Sequence, residues 1–373
     1  MKTILHAVLS RQFYGSERHC IELATAQARQ GHAVSVLIED SRSYCAGEFR
    51  KCIAETAPNA VRLIAIPSWL PRFCYRPLTW LLLLLLRPDV VHTHLNSATR
   101  RIGSAARALG IPHVSTLHIR YDHREHQHCD GLICGASWQR RAIPSDFAGY
   151  AATIWAWLPV AVQRALVRVT DKDVSDCRGR WGADDRTVVF GSVGRLCAEK
   201  GMDLLVSAFQ QAFPDGTEPV RLVIVGVGAD EEKLRRASAL DRRIQLIARQ
   251  GELAPLYRAF DVYVSAARFE PFGLTILEAM DAGLPLVVTR TDGPTEFLQD
   301  ERVLWADVND VNSLARQLSS ARERARLRYD LRPFSPVRAV GEIESFYDEV
   351  LRRRYAAARP SLVPDTESPQ RSH

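Results

Sequence analysis

Residues 3–39 read TILHAVLSRQFYGSERHCIELATAQARQGHAVSVLIE, and this stretch decides the fold class. An apolar run at 3–9 is followed by a turn around Gly15, a segment of helical length at 17–29 and a second apolar run at 33–39. Gly31 stands where such a helix would end. Strand, helix and strand in this order are typical of a parallel sheet, so the sequence predicts an α/β protein.

The same alternation occurs twice along the 373 residues, which exceed the roughly 100–200 residues of a usual domain. Between the two occurrences, residues 159–186 look like a connection rather than a core. Strands are predicted at 3–9, 33–39, 90–92, 114–117, 131–134, 188–193, 221–225, 244–247, 262–265 and 286–289. Helices are also predicted in the first half, at 81–86 and 99–109.

These patterns predict two α/β domains and a short C-terminal part. The boundaries that we expect are 1–163 for the first domain and 164–340 for the second. A C-terminal helix at 341–355 is expected to pack back on the first domain. Residues 356–373 are rich in Pro and Ser and poor in large apolar side chains, so we expect a disordered tail.

Composition places the chain among soluble globular proteins, with 46% hydrophobic and 25% charged residues. The net charge of +6 favours anionic partners, but no nucleic-acid motif accompanies it, so we expect no nucleic acid. The 8 cysteines include no C-x-x-C pair, which favours reduced thiols. No signal peptide is recognised, and the apolar run at 78–86 is under half of the about 20 residues of a spanning helix. We expect a cytoplasmic protein.

The stretch 268–280, RFEPFGLTILEAM, carries the strongest functional signal. Pro271 and Gly273 predict a turn after a strand, and a helix that begins near Leu274 would direct its free N–H groups at an anionic ligand. Glu270 would lie in the turn and Glu278 one helical turn further on. Carboxylates accept hydrogen bonds from hydroxyls, so the pair predicts a ligand in which a sugar, a diphosphate and a ribose follow one another.

Residues 270–278 resemble the E-x7-E motif of retaining GT-B glycosyltransferases, especially family four, the glycosyl transferases group 1. Residues 192–201, SVGRLCAEKG, are similar to the "GRL…EKG" segment of that family, and residues 14–19 and 29–34 resemble its glycine loop and its "rGHeV" strand entry. The resemblance spans residues 3 to about 350. It implies a GT-B fold, in which two facing Rossmann-like domains with parallel sheets enclose an interdomain cleft.

Three segments depart from the family pattern. Ser16 follows Gly15 where the family often has two glycines, so a backbone contact is replaced by a hydroxyl contact. Residues 155–162 lack the usual Asn-Gly turn, and residues 292–296 keep only part of a Gly-Gly-x-x-Glu turn. None of these departures removes a principal donor contact.

The resemblance also implies roles for individual residues. Arg195 and Lys200 would hold the donor diphosphate, Gly15 would let the backbone approach the donor, and His118 would lie near the transferred sugar. We expect four catalytic residues, Glu270, His118, Arg195 and Lys200. Seven more are expected to bind the substrates: Gly15, Ser16, Phe272, Gly273, Leu274, Thr275 and Glu278.

The implied activity is retaining transfer of a hexose from a nucleotide-diphosphate sugar, expected to be UDP-linked, to a glycan or glycolipid in bacterial lipopolysaccharide or surface polysaccharide synthesis. No cofactor and no metal are expected, because the loop residues His123, His126, His128 and Cys129 lack the spacing of a zinc site. Two alternatives remain. A GT-B epimerase or hydrolase would consume the nucleotide sugar without an acceptor, whereas the intact acidic and basic motifs argue against a non-catalytic binding protein.

A peripheral contact with an anionic membrane is also expected, because aromatic residues alternate with arginines in the first domain. The residues concerned are Trp69, Arg72, Phe73, Tyr75, Arg76 and Trp80. Trp155 and Trp157 are expected to add exposed aromatic surface. Packing of these side chains in a local core is the alternative.

Overall fold

The first domain of the computed structural model is built on a sheet of seven parallel strands. Residues 1–10, 12–39, 43–56, 58–67, 69–248 and 252–357 are described. The strands are β1 (Thr3–Val8), β2 (Ala33–Glu39), β3 (Val61–Ile66), β4 (Val90–His94), β5 (His113–Leu117), β6 (Gly131–Cys134) and β7 (Tyr150–Thr153), in the order β3-β2-β1-β4-β5-β6-β7. Helices cover both faces, as a parallel sheet requires.

The described residues of this domain form the helices α1 (Gly15–Arg29), α2 (Tyr44–Thr56), α3 (Tyr75–Leu86), α4 (Asn96–Ala108), α5 (His123–His126) and α6 (Ser137–Arg141). Helix α1 follows β1 through the glycine turn and connects it to β2, with which β1 pairs in parallel. The βαβ unit that residues 3–39 predict is therefore confirmed.

The segment 159–186, which the sequence analysis treats as a connection, contains two helices. They are α7 (Val160–Arg168) and α8 (Asp171–Arg180). Thr170 caps α8, since its side chain accepts a hydrogen bond from the backbone N–H of Asp173. Cys177 and Trp181 are buried in the core of the second domain. The expectation of a connection rather than a core is therefore wrong for the part that carries these buried side chains.

The second sheet has six parallel strands, in the order β10-β9-β8-β11-β12-β13. They are β8 (Val188–Val193), β9 (Val220–Val225), β10 (Ile244–Ile247), β11 (Val262–Ser265), β12 (Leu286–Thr289) and β13 (Leu304–Ala306). Its helices are α9 (Met202–Ala212), α10 (Glu231–Ser238), α11 (Ala254–Ala259), α12 (Leu274–Asp281), α13 (Asp292–Phe297) and α14 (Val311–Ala321). Two Rossmann-like domains are thus present, and the predicted fold class is confirmed.

The last helix, α15 (Pro336–Ala357), returns to the first domain. Its residues Ile343 and Phe346 are buried in one cluster with Ile4, Val90 and Val114 of the first sheet. The helix begins before and ends after the expected range 341–355, so Ala356 and Ala357 are helical rather than part of a tail. Residues 358–373 of the predicted tail lie outside the described residues. Within the described ranges, no helix is long and apolar enough to cross a membrane.

Candidate active site

A cleft with a volume of about 470 Å³ lies between the two domains. Parallel strands leave their carboxyl ends at one edge of a sheet, and the loops that follow β1, β5, β8 and β11 converge here. All eleven residues that the sequence singles out line this cleft: Gly15, Ser16, His118, Arg195, Lys200, Glu270, Phe272, Gly273, Leu274, Thr275 and Glu278. Segments far apart in the chain therefore meet at one site.

Lys200 and Glu270 form a close ion pair in the cleft. The Nζ atom of Lys200 donates to Oε2 of Glu270 at 2.5 Å, and the side chain of Glu270 is only 9% exposed. Gly273 has a φ of 116°, a conformation that glycine adopts without steric cost, and it lets α12 begin immediately after the Glu270 turn. The pair thus lies beside the N-terminus of α12, where the helix dipole favours an anion.

Glu278 is held from both domains. Its Oε2 accepts a hydrogen bond from the hydroxyl of Tyr257 at 2.7 Å, and its Oε1 lies 3.8 Å from Nη1 of Arg18 in the first domain. Arg18 is a site residue that was not predicted from the sequence. Its position in the loop that resembles the family's glycine loop was the available signal.

Arg195 is more accessible than Lys200. Its side chain is 49% exposed, and its contact with an acid is to Glu199, at 3.3 Å. An exposed pair of this kind contributes little free energy, about 0–1 kcal/mol. Arg195 can therefore turn toward an anionic ligand at little cost.

The glycine loop approaches the second domain closely. A Cβ atom added to Gly15 would lie 2.9 Å from Cδ1 of Leu274, so a larger residue would require the end of the Leu274 side chain to shift. Ser16 donates its hydroxyl proton to Glu17, whose Oε2 also accepts the N–H of Tyr14. The expected ligand contact of Ser16 is thus limited to its hydroxyl oxygen as an acceptor.

Two histidines face the cleft from the first domain. Burial lowers the pKa of His118 to about 4, so its imidazole is neutral near pH 7, and its Nε2 lies 3.1 Å from Nδ1 of His94. The ring of His19 packs on Trp157 at 4.0 Å, and burial lowers the pKa of His19 as well. Behind His118, the buried rings of His94, His6 and His92 lie together, a grouping that was not predicted from the sequence.

Two further contacts join the domains beside the turn at residues 270–273, which we call the donor turn after its expected ligand. The carboxylate of Glu296, at the end of the incomplete Gly-Gly-x-x-Glu turn, accepts the backbone N–H groups of Ser137 and Trp138, both at 2.6 Å. The indole N–H of Trp138 donates to the carbonyl oxygen of Pro271 at 3.0 Å. Neither role was predicted, since each partner lies far away in the sequence.

The predicted aromatic surface is only partly exposed. Trp69 and Phe73 are each 79% exposed, whereas Tyr75 and Trp157 are buried. Trp155 stacks on Phe334. The exposed-surface interpretation is therefore wrong for Tyr75 and Trp157, for which the alternative of core packing holds, whereas Trp155 is partly buried.

The outer face of α3 is apolar. It presents Trp80, Leu81, Leu84 and Leu85 to solvent. The α3 face, as we call these four residues together with Trp69 and Phe73, is the exposed apolar surface of this part of the domain. Arg76 is exposed beside it.

The loop histidines do not form a shared ligand set in the described chain. Nδ1 of His126 lies 2.9 Å from the backbone oxygen of Asp122. The described side chains that could share a metal are instead His6, Cys20 and His94, whose ligand atoms lie within 4.8 Å of one another.

Comparison with known proteins places this site in a family. The family model Glycosyltransferase Family 4 matches residues 13–190, and Glycosyl transferases group 1 matches residues 187–323. A GDP-mannose-dependent alpha-mannosyltransferase of Mycobacterium tuberculosis is 29% identical over 78% of this chain and 79% of its own length. The lipopolysaccharide core biosynthesis glycosyltransferase LpsE of Rhizobium meliloti is 31% identical over 34% of this chain and 37% of its own.

A solved structure has the same fold. Alr3699/HepE of Anabaena, in complex with UDP and glucose, has a TM-score of 0.70 and 17% identity, over 96% of this chain and 99% of that chain. Together with the two family matches, this likeness identifies the fold as GT-B. The chain belongs to the group 1, family 4 glycosyltransferases and is an enzyme of that type.

Proposed function

Taking this family membership as the premise, we propose that the protein moves a hexose from a nucleotide-diphosphate sugar to a glycan or glycolipid acceptor, with retention at the anomeric carbon. The observation that carries the proposal is the Lys200–Glu270 pair beside the start of α12, inside a cleft bounded by both domains. A cation, a helix N-terminus and a carboxylate in one place suit a diphosphate and sugar hydroxyls together.

The donor diphosphate is bound by positive charge. Lys200 donates both to Glu270 and to a phosphate oxygen, and the exposed Arg195 turns in from the edge of the cleft. The N–H groups at the start of α12 meet the same phosphates. As the bond between the sugar and the phosphate breaks, negative charge grows on the leaving group, and these fixed charges stabilise the transition state.

Retention is supported by the hydrogen bonds that the carboxylates of the cleft already accept, because inversion would need a carboxylate poised as a base. Three of them, Glu17, Glu270 and Glu278, belong to the described lining of the cleft, and each already accepts hydrogen bonds from the protein. In the proposed reaction the acceptor hydroxyl oxygen attacks the anomeric carbon from the side of the leaving group. Its proton passes to the departing phosphate oxygen, and the products are the glycoside and the nucleoside diphosphate. His118 accepts a hydrogen bond from a hydroxyl of the transferred sugar.

The α3 face supports an acceptor at a membrane surface. A helix with exposed Leu and Trp side chains and a neighbouring Arg suits the headgroup layer of an anionic bilayer. LpsE, whose name refers to lipopolysaccharide core synthesis, is a relative of part of this chain. We therefore assign the acceptor to the lipid-linked glycans of lipopolysaccharide or surface polysaccharide synthesis, at the cytoplasmic face of the membrane.

A donor screen tests the proposal. Because a ligand that binds the native state raises its stability by mass action, the Tm is measured with a panel of UDP-hexoses and with GDP-mannose, the donor that names the M. tuberculosis relative. We expect a UDP-hexose to give the largest shift. Release of the nucleoside diphosphate is then measured with and without a lipid-linked glycan. Release that needs no acceptor would instead identify a hydrolase, and no shift with any sugar nucleotide would contradict the proposal.

A further inference from the structure

Five side chains form one line of hydrogen bonds from the surface of the first domain to the cleft. The line runs from Glu344 of α15 through Gln27, His6 and His94 to His118. The successive separations between donor and acceptor atoms are 2.7, 2.7, 3.2 and 3.1 Å. Gln27, His6 and His94 are fully buried. Such a line has a direction, because each hydrogen bond has one donor and one acceptor.

The outer end fixes that direction. Oε2 of Glu344 contacts Nζ of Lys2 at 3.0 Å and Nε2 of His32 at 3.3 Å, so Glu344 is a charged carboxylate that can only accept. Gln27 must therefore turn its NH₂ group toward Glu344 and its carbonyl oxygen toward His6. It follows that Nε2 of His6 carries the proton and donates to Gln27.

The remaining links follow from the neutral state of the rings. Burial lowers the pKa of His6 to about 4 and that of His94 well below 6.5, so each ring carries one N–H near pH 7. With its proton on Nε2, His6 accepts at Nδ1, and Nε2 of His94 donates to it. His94 then accepts at Nδ1, and Nε2 of His118 donates in turn. Nε2 of His118 therefore carries the ring proton, which it donates to Nδ1 of His94.

We propose that Gln27 and Glu344 are positioning residues that fix the tautomer of His118, so that its Nδ1 meets the transferred sugar as a hydrogen-bond acceptor. This inference rests on the function proposed above, since it deepens the role of His118 there. Nδ1 is the ring nitrogen of His118 that the line leaves for a ligand in the cleft. The site therefore selects a sugar with a free hydroxyl at that point, because a deoxy sugar would leave Nδ1 without a donor.

A metal ion is the competing explanation for the same side chains. Nδ1 of His6 and Nε2 of His94, which bond to each other in the line, could join Cys20 as ligands. The two histidine nitrogens bond to each other at 3.2 Å, and nitrogens that share a proton in this way cannot both bind a metal. Metal content becomes one readout of the test.

The tautomer is read directly from the ¹⁵N shifts of the two ring nitrogens of His118, in full-length protein labelled at histidine. For the wild type we expect the tautomer of His118 in which Nε2 is protonated and Nδ1 is unprotonated. Gln27→Met breaks the line of hydrogen bonds at a fully buried position. Glu344→Ala removes the charged carboxylate at the outer end of the line, where the side chain is less buried. In both variants we expect a mixture of tautomers at His118.

Thr25→Val is the matched control. Thr25 lies on α1 like Gln27, is buried and donates its hydroxyl proton to the backbone oxygen of Glu22 at 3.0 Å, a contact outside the line. The control should lose stability and keep the tautomer of His118. The Tm of each variant is measured to show that its fold is kept.

Kinetics separate this inference from the proposed function. In Gln27→Met, we expect kcat/KM for the intact donor to fall about tenfold, the effect of one lost hydrogen bond. Unchanged shifts at His118 in both line variants, or one equivalent of zinc bound to the wild type, would overturn the inference. A changed tautomer with unchanged kcat/KM would instead contradict the sugar contact assigned to His118 under the proposed function.

Discussion

The indole N–H of Trp138 donates to the carbonyl oxygen of Pro271 at 3.0 Å, and this hydrogen bond joins the first domain to the donor turn of the second. Because Pro271 follows Glu270 directly, this hydrogen bond links the position of Trp138, in the first domain, to Glu270, which pairs with Lys200. Glu296 strengthens the same junction, because its carboxylate accepts two backbone N–H groups at the start of α6. We call Trp138, Pro271 and Glu296 the interdomain clasp.

The clasp should matter for catalysis as well as stability. In Glu296→Ala, the two backbone N–H groups at the start of α6 lose their acceptor, at a cost of about 0.5–2 kcal/mol in stability. Trp138, the partner of the donor turn, is then held less firmly. We expect kcat/KM for the donor to fall about tenfold, with a small loss of Tm. Arg141→Ala is the control, because Arg141 also pairs with Glu296 but its side chain is 71% exposed. Its Nη2 lies 3.5 Å from Oε1 of Glu296, a weak contact. Equal effects of the two substitutions would contradict a catalytic role for the clasp.

Lys200 and Arg195 should be needed for turnover and not for folding. We expect Lys200→Ala and Arg195→Ala each to lower kcat about 10²–10³-fold, since the leaving diphosphate loses a preorganised charge. Steady-state kinetics and the Tm are measured together. Lys233→Ala serves as control, because Lys233 is exposed and pairs with Asp203 outside the cleft. Near-normal kcat/KM in the two cleft variants would remove the diphosphate role.

The buried histidines predict loss of stability in mild acid. Burial lowers the pKa of His6 to about 4 and that of His113 to about 3, from about 6.5 in the unfolded chain. The unfolded chain therefore binds these protons first as the pH falls. The contribution of these histidines to the free energy of unfolding is fully present above pH 6.5. It declines as the pH falls toward 4, by roughly 1.4 kcal/mol per pH unit for each such histidine. Calorimetric unfolding at several pH values measures this, and a flat Tm between pH 6.5 and 4.5 would contradict it.

The α3 face should bind anionic vesicles weakly and in a salt-sensitive manner. We expect Leu85→Glu on this face, and Arg76→Glu beside it, each to reduce co-sedimentation with anionic vesicles several-fold at low salt. Leu240→Glu is the control, because Leu240 is 99% exposed but lies in the second domain. Equal loss in the control, or none in the α3 variants, would locate the contact elsewhere.

The central strands and the donor turn could be predicted from the sequence because their signals are local. The inner strands β2, β6, β8, β11 and β12 have the predicted bounds, as does the edge strand β10, and α12 begins at Leu274 as expected. The strands that were missed are β3, β7 and β13, and all three lie at sheet edges. An edge strand is covered on fewer sides, so its apolar pattern is weaker; every residue of β7 is only partly buried.

The donor motif was predictable, but its partners across the cleft were not. Arg18 and Glu278, like Trp138 and Pro271, meet only because the two domains face each other. The line from Glu344 to His118 joins four separate elements, and a lone histidine in a sequence does not indicate its partner. Such contacts depend on the tertiary arrangement, which no local pattern of residues specifies.

The stereochemistry of the product tests the central claim most directly. The transfer is run with an α-linked nucleotide hexose and the accepted glycan, and the anomeric configuration of the new linkage is read from its proton NMR coupling. Same-face attack, with the departing phosphate as proton acceptor, predicts an α-linked product. A β-linked product would contradict both the mechanism and the roles assigned to Glu270, Lys200 and His118.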